Sequence, residues 1–114
     1  HVSAHNVGLD PVAYLQAIPP EVVGEIHVAG HEAISHDGRP VLLDTHGGPV
    51  ADAVWDLYRQ AVTRFGPRPT LVERDTNIPP LAELLAEAAR ADAIALDVTV
   101  DVTVAGGGSH AHAA

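Results

Sequence analysis

The fold is decided by residues 49–75, which read PVADAVWDLYRQAVTRFGPRPTLVERD. Apolar residues recur at helical spacing over 50–65, so this part predicts an amphipathic helix that ends at Gly66. Residues 70–75 then have the alternating character of a strand. A helix joined to a strand by so short a link is typical of a chain that builds a parallel sheet covered by helices.

The same alternation of strands and helices extends on both sides of this stretch. The further predictions are a strand end running into a loop at 1–8, a short helix at 12–17 behind Asp10 and Pro11, a strand at 22–30, a turn at Asp37 and Gly38, a short buried strand at 41–43, and a helix from 81 with Leu81, Leu84, Leu85 and Ala88 on its apolar side. The pattern predicts an α/β fold with βαβ connections.

The last part of the chain has a different character. The four residues DVTV at 97–100 are repeated at 101–104, and a stretch rich in Gly and His follows. The repeat alternates like a strand, and the glycines are typical of a flexible tail. The sequence therefore predicts two parts, a folded segment at 1–95 and a flexible Val/Thr repeat with a Gly/His tail at 96–114.

The composition excludes several classes of function. A chain of 114 residues fits one domain, and 15 acidic against 6 basic residues give a net charge of −9. So acidic a chain is a poor partner for nucleic acid or an anionic membrane, and it holds no apolar run near the ~20 residues of a membrane span. The lack of Cys excludes disulfides, thiolate metal sites and cysteine nucleophiles. Because the chain shows no signal peptide, we expect a cytoplasmic protein.

Two histidines and two carboxylates fall at or just after the ends of predicted strands: His27, Asp44, His46 and Glu73. Active sites of α/β barrels lie at this end of the strands. Imidazole nitrogens and carboxylate oxygens suit non-haem iron or another divalent metal. Simpler roles fit the same pattern. His27 could be a satisfied interior histidine, and Glu73 could pair with Arg74 or another arginine. Asp44 and His46 could form a turn or a helix cap.

Several short motifs occur in order along residues 2–95. They are SAHN at 3–6, GLDP at 8–11, EIHVAGH at 25–31, DTHG at 44–47, PV at 49–50, GP at 66–67, PTLVERD at 69–75 and NIP at 77–79. As a set, this run resembles the multinuclear non-haem iron-dependent oxidase family, long known as a domain of unknown function. The resemblance implies a TIM-like (β/α)8 barrel. This α/β chain would form its C-terminal part, an incomplete barrel of parallel strands with covering helices.

The resemblance also implies a function. Family members carry two or three iron ions and modify cysteines of ribosomally made peptides with molecular oxygen. They often work with a separate partner protein that binds the leader of the peptide. By the family pattern the metal ligands are His27, Asp44, His46 and Glu73, and the candidate groups behind them are His31, Asp75 and Asn6.

A (β/α)8 barrel needs roughly 200 residues or more, so the resemblance predicts that earlier strands with further ligands are absent from this chain. Such a part would expose strand edges and an apolar sheet face, and we expect it to be unstable or self-associating, and inactive. Two alternatives stay open. One is a metal-dependent isomerase or hydrolase on a related barrel, and the other is a truncated product that at most binds metal or a partner chain.

Overall fold

The computed structural model describes residues 1–106 of the chain. Its helices and strands are α1 (Val2–Val7), α2 (Pro11–Ala17), β1 (Ile26–Ala29), β2 (Glu32–His36), β3 (Arg39–Leu43), α3 (Asp52–Phe65), β4 (Thr70–Glu73) and α4 (Leu81–Gly106), with a 3-10 turn at Pro20–Val22. The predicted α/β class with parallel strands and covering helices is confirmed. These residues are compatible with part of a barrel. They form two sheets of two strands each, β1 with β4 and β2 with β3.

The centre of the fold is the unit β1–α3–β4. Strands β1 and β4 run parallel, with Val28 opposite Val72 in the register. These two side chains point to the same face, where they pack on helices α3 and α4. Helix α3 presents its apolar stripe to this core, including the buried Trp55 and Val62, as its helical periodicity predicted. It ends at Gly66, whose φ of 74° lies in the left-handed region that favours glycine.

A separate antiparallel hairpin, β2 and β3, projects from the connection between β1 and α3. The predicted turn at Asp37 and Gly38 is confirmed, and both residues have positive φ, 49° and 74°. The strand predicted at 41–43 is the inner half of β3, whereas β2 was missed. The sequence of β2, EAISH, lacks the regular apolar alternation that marks a half-buried strand, and all five residues are exposed.

The N-terminal prediction is wrong, since residues 2–7 form helix α1 rather than the end of a strand. Helix α2 is confirmed, and the Asp10 side chain caps it by accepting from the N–H of Val12 at 2.9 Å. The strand predicted at 22–30 is shorter than expected. The prolines before it hold Pro20–Val22 in a 3-10 turn, and pairing begins at Ile26.

The prediction of a strand in the Val/Thr repeat is also wrong, because α4 continues through it to Gly106. A repeat of four residues fits one helical turn nearly as well as it fits two strand alternations. Ile94 and Val98, four residues apart, are both buried against α3, and the hydroxyl of Thr99 bonds the carbonyl of Ala95. The predicted boundary at 96 therefore falls within one helix, and the Gly/His tail at 107–114 lies outside the described residues.

The apolar side predicted for the start of α4 is only partly covered. Leu81 and Leu85 are exposed, while Leu84, Leu85 and Ala88 line an open groove of about 510 Å³ beside β4. Within residues 1–106, β1 and β4 pair only with each other, so each keeps one edge without a strand neighbour. No helix in this part of the chain combines the length and apolar character that crossing a membrane requires.

Candidate metal centre

The candidate site lies at the C-terminal ends of β1 and β4. Because successive strand residues alternate between faces, His27 and Glu73 point away from the face that carries Val28 and Val72. The register sets Ala29 opposite Glu73, so His27 and Glu73 are diagonal neighbours on the uncovered face. Both side chains therefore lie on one face of the parallel pair, near the C-terminal ends of the strands.

The third residue of the site, His46, is held by backbone contacts to both strand ends. Its N–H donates to the carbonyl of Gly30 at 3.0 Å, and its carbonyl accepts from the N–H of Asp75 at 2.9 Å. Its own φ is 49°, a left-handed conformation that is uncommon for a residue with a side chain. This strained backbone persists because the loop is tied on both sides, a combination that is frequent at functional sites.

A glycine is required where this loop crosses the end of β1. A Cβ atom added to Gly30 would lie 2.2 Å from the backbone oxygen of Gly48, and backbone cannot move aside as a flexible side chain can. The close approach of residues 30 and 48 brings the loop that carries His46 over the end of β1. Glycine at 30 is therefore part of how the site is assembled.

Glu73 lies between the two imidazole rings. Its Oε1 is 3.0 Å from Nδ1 of His27, and its Oε2 is 3.2 Å from Nδ1 of His46. The side chains of Glu73 and His46 are 25% and 21% exposed, so this is the sheltered part of the cluster. Three of the four ligands expected from the resemblance therefore meet in space.

The remaining carboxylates surround the rings from outside. Asp44 contacts Nε2 of His46 at 2.9 Å, and Asp75 contacts Nδ1 of the same ring at 3.2 Å. Nε2 of His27 forms a 2.8 Å hydrogen bond with Glu25. Asp44 thus joins the cluster through His46 rather than through Glu73. Glu25 lies two residues before His27, a spacing that puts both side chains on one side of an extended chain.

The cluster is strongly negative because no arginine neutralises it within residues 1–106. Arg74, the neighbour of Glu73 in sequence, instead pairs with Glu87 at 3.0 Å, and its side chain is largely buried. The alternative pairing of Glu73 with Arg74 is therefore wrong. The hydrogen bond that the ring of His27 donates to Glu25, with added attraction from Glu73, raises the pKa of His27 above its ordinary value of 6.5.

A cavity of about 270 Å³ opens beside these side chains and is lined by further histidines. His31 lies on its wall, and Nδ1 of that ring is buried without a hydrogen-bond partner among the described residues. The ring of His1 lies against it, with centroids 5.0 Å apart. His31 was a candidate from the resemblance, whereas His1 was missed, because no spacing pattern links it to the other candidate ligands.

Asn6 lies elsewhere. Its side-chain amide bonds both backbone groups of Leu42, at 2.8 Å to the carbonyl and 2.9 Å from the N–H. It therefore ties α1 to β3, two residues before Asp44, and has no hydrogen bond to the described side chains of the cluster. Its role in this structure is to position the hairpin.

The donor set fits iron, while the arrangement is not that of a preformed site. Imidazole nitrogen and carboxylate oxygen are donors that non-haem iron takes, and the orphaned Nδ1 of His31 adds a further donor at the cavity wall. Among the described residues, however, no three His, Asp or Glu side chains are arranged so that they could hold an ion as they stand. Binding would have to replace the contacts of Glu73 with His27 and His46.

Comparison with known proteins gives one family. A family model for the "RiPP precursor modification enzyme MbnB/TglH/ChrH" matches residues 1–96. Among curated proteins, a "UPF0276 protein" of Caulobacter vibrioides is 54% identical over 93 residues, which cover 82% of this chain and 33% of that protein. A UPF0276 protein of Bordetella pertussis is 55% identical over 95 residues, covering 82% of this chain and 32% of that protein.

The chain spans about a third of the length of the curated relatives it matches. No solved structure matches it significantly. The family match covers most of the chain, including every residue of the cluster around Glu73. The chain belongs to the family of RiPP precursor modification enzymes MbnB/TglH/ChrH.

Proposed function

We propose that this chain supplies part of a non-haem iron site in an oxidase that modifies cysteines of ribosomally made peptides with molecular oxygen. The observation that carries the proposal is the position of Glu73, whose two oxygens lie 3.0 and 3.2 Å from Nδ1 of His27 and of His46. The peptide-precursor chemistry named for the family supports the substrate class. The proposed ligands are His27, Asp44, His46 and Glu73.

Charge and donor type both favour a hard or borderline cation at this place. Four carboxylates, those of Glu25, Asp44, Glu73 and Asp75, contact two imidazoles. Since no arginine pairs with these carboxylates within residues 1–106, a divalent cation is the natural partner for so much negative charge. The chain has no Cys, so the donors are nitrogen and oxygen alone.

The residues of this chain would orient the donors. Glu25 holds the ring of His27 through Nε2, which leaves Nδ1 directed at Glu73. Carboxylates behind a ligating histidine fix its tautomer and raise its basicity, and Glu25 is placed for that role. Bound iron would supply the redox chemistry between a cysteine thiol and oxygen.

Because the chain spans about a third of the relatives' length, further ligands would come from the rest of such a protein. With them, the site would hold two or three ions in the complete family protein. The cysteine-containing peptide would enter the cavity beside His27 and His31, where the site opens to solvent. A separate protein that binds the leader of the peptide completes the proposal.

Anaerobic titration of the chain with Fe(II) tests the metal site. We expect His27→Ala, His46→Ala and Glu73→Ala each to weaken iron binding by at least about tenfold. The matched control is His36→Ala, since His36 is an exposed histidine at the hairpin turn. Equal binding by the control and the three site variants would contradict the proposal.

Oxygen uptake tests the reaction class. A full-length family protein that carries this segment should consume oxygen when a cysteine-containing precursor peptide is added. Glu73→Ala in that protein should abolish the uptake. Product formation without oxygen consumption would instead support a metal-dependent isomerase or hydrolase.

A further inference from the structure

The two outer edges of the hairpin β2–β3 differ in a way that the proposed iron site does not explain. The two-residue turn has positive φ at both Asp37 and Gly38, as a type I′ turn requires. In such a hairpin the residues that flank the turn, His36 and Arg39, form a hydrogen-bonded pair. From there, non-hydrogen-bonded and hydrogen-bonded pairs alternate along the two strands.

The alternation leaves the pairs Ser35–Pro40 and Ala33–Leu42 with their backbone groups directed outward. On the β3 side this edge is closed. Pro40 has no N–H, and both backbone groups of Leu42 are bonded by the Asn6 amide. The contact with Asn6 also supports the assigned alternation, because it reaches Leu42 from outside the hairpin.

On the β2 side the edge is open. Within residues 1–106, the N–H and carbonyl groups of Ala33 and Ser35 have no hydrogen-bond partner. All residues of β2 are exposed. A strand with free, outward-directed backbone groups is a template for another extended chain. One edge of the hairpin is thus protected and the other is available.

The open edge leads to the candidate site. Strand β2 begins at Glu32, directly after His31, whose ring lines the cavity. A chain that pairs antiparallel with β2 would run from the turn towards Glu32, so its continuation past Glu32 reaches His31 and the cavity. At ~3.4 Å per residue, two or three further residues span about 7–10 Å.

We propose that β2 binds an extended segment of the peptide substrate as an added antiparallel strand, so that the residue to be modified lies a few positions C-terminal to the docked segment. This inference rests on the proposed function, because the substrate class comes from it. The open edge, its position at the cavity and the closed opposite edge favour a peptide as the occupant.

The side chains along β2 indicate which segment would fit. Glu32, Ile34 and His36 share one face, with a carboxylate at the cavity end and an exposed apolar side chain in the middle. A β-branched residue opposite Ile34 and a basic residue opposite Glu32 would be the favoured cross-strand partners. Basic character also suits the acidic cluster beyond.

The test is fluorescence anisotropy with the full chain, without iron, and a fluorescein-labelled peptide Thr-Thr-Val-Thr-Lys-Gly-Ser. In the proposed register its second and fourth residues oppose Ser35 and Ala33, so their N–H groups face β2. We expect N-methylation of these two residues to weaken binding by at least about tenfold. N-methylation of the third and fifth residues, which face away, should change it less than about twofold.

Variants of β2 test the same register from the other side. Ser35→Pro removes one outward N–H without removing a hairpin hydrogen bond, and Ser35→Ala keeps that N–H. We expect about a tenfold loss for the proline variant and none for the alanine variant. A benzophenone at the peptide's C-terminus should cross-link at the cavity rim, and one at its N-terminus near the hairpin turn.

Three results would overturn the inference. The first is no saturable binding at millimolar peptide, and the second is an equal effect of the two methylation patterns. The third is that the unsubstituted chain dimerises through β2 and thereby excludes the peptide, while Ser35→Pro is monomeric. Iron titration run in parallel separates the two proposals. If His27→Ala loses iron and the peptide does not bind, only the docking inference fails. If the peptide binds as expected and His27→Ala keeps its iron affinity, the proposed iron site fails.

Discussion

The largely buried pair of Arg74 and Glu87 links β4 to α4 and the start of α3, and its loss should be costly. Oε2 of Glu87 accepts from Arg74 at 3.0 Å, and Oε1 accepts from the N–H of Val50 at 2.7 Å. The two charged side chains are only 6% and 15% exposed. Glu87→Gln keeps the shape and one acceptor oxygen but leaves the arginine buried without a counter-charge.

We expect this substitution to lower the free energy of unfolding by about 3 kcal/mol. Breaking a buried ion pair costs about 3–5 kcal/mol, and the lower end applies because glutamine can still accept from Val50. The matched control is Asp97→Asn. It breaks the pair of Arg59 and Asp97, which is shorter at 2.7 Å but 44% and 57% exposed, and should cost less than about 1 kcal/mol.

Urea unfolding followed by the fluorescence of Trp55, the only tryptophan of the chain and 2% exposed, measures both changes. With a urea m value of about 1.5 kcal/mol/M, the midpoint should fall by about 2 M for Glu87→Gln. A double variant, Arg74→Met with Glu87→Gln, should recover much of the loss, because it buries no charge and keeps an acceptor for the N–H of Val50. If Glu87→Gln costs no more than Asp97→Asn, the reasoning from burial is refuted.

Three further predictions concern the site in the metal-free and metal-bound chain. Glu25→Gln should lower the pKa of His27, since the hydrogen bond between Glu25 and His27 is the main cause of the raised pKa. The stabilisation of the fold by the protonated ring is complete below about pH 6.5 and is lost as pH rises through the folded-state pKa. NMR titration of the His27 ring measures the change. Gly30→Ala should destabilise the fold by roughly 1–3 kcal/mol in urea unfolding, because its Cβ would meet the backbone of Gly48, and an unchanged midpoint would contradict this. Glu73→Gln should weaken Fe(II) binding more than Glu25→Gln does, because Glu73 contacts two imidazole rings and Glu25 contacts one. The expected loss of iron affinity for Glu25→Gln is about 10–100-fold. The reverse order in a competition titration would argue against the proposed ligands.

Part of the fold followed from sequence because its signals are local. The period of α3, the glycine that ends it and the Asp-Gly turn of the hairpin depend on residues adjacent in the chain. The Val/Thr repeat was misread for a related reason. A period of four residues fits both a strand and a helix, and only the burial of Ile94 and Val98 against α3 decides between them.

The sequence indicated which residues belong to the candidate site, but only some of the contacts between them. The predicted strands placed His27 and Glu73 at or near strand ends, and the parallel register brings them together. Sequence could not show that Arg74 turns to Glu87, because that pair forms across 13 positions through the packing of α4 on β4. It also could not show that Asn6 bonds Leu42 rather than the site, since that contact spans 36 positions.

The amino-acid sequence by itself determined the alternation of strands and helices, the nitrogen and oxygen donors, and the family to which they point. Only the tertiary structure decided which donors meet, which edge of the hairpin is closed, and that His46 adopts a left-handed backbone between two strand ends. The physical reason is the distance along the chain between the residues that interact. Periodicity, turns and caps depend on neighbours in the chain, whereas the site and the open edge depend on contacts between segments that only folding brings together.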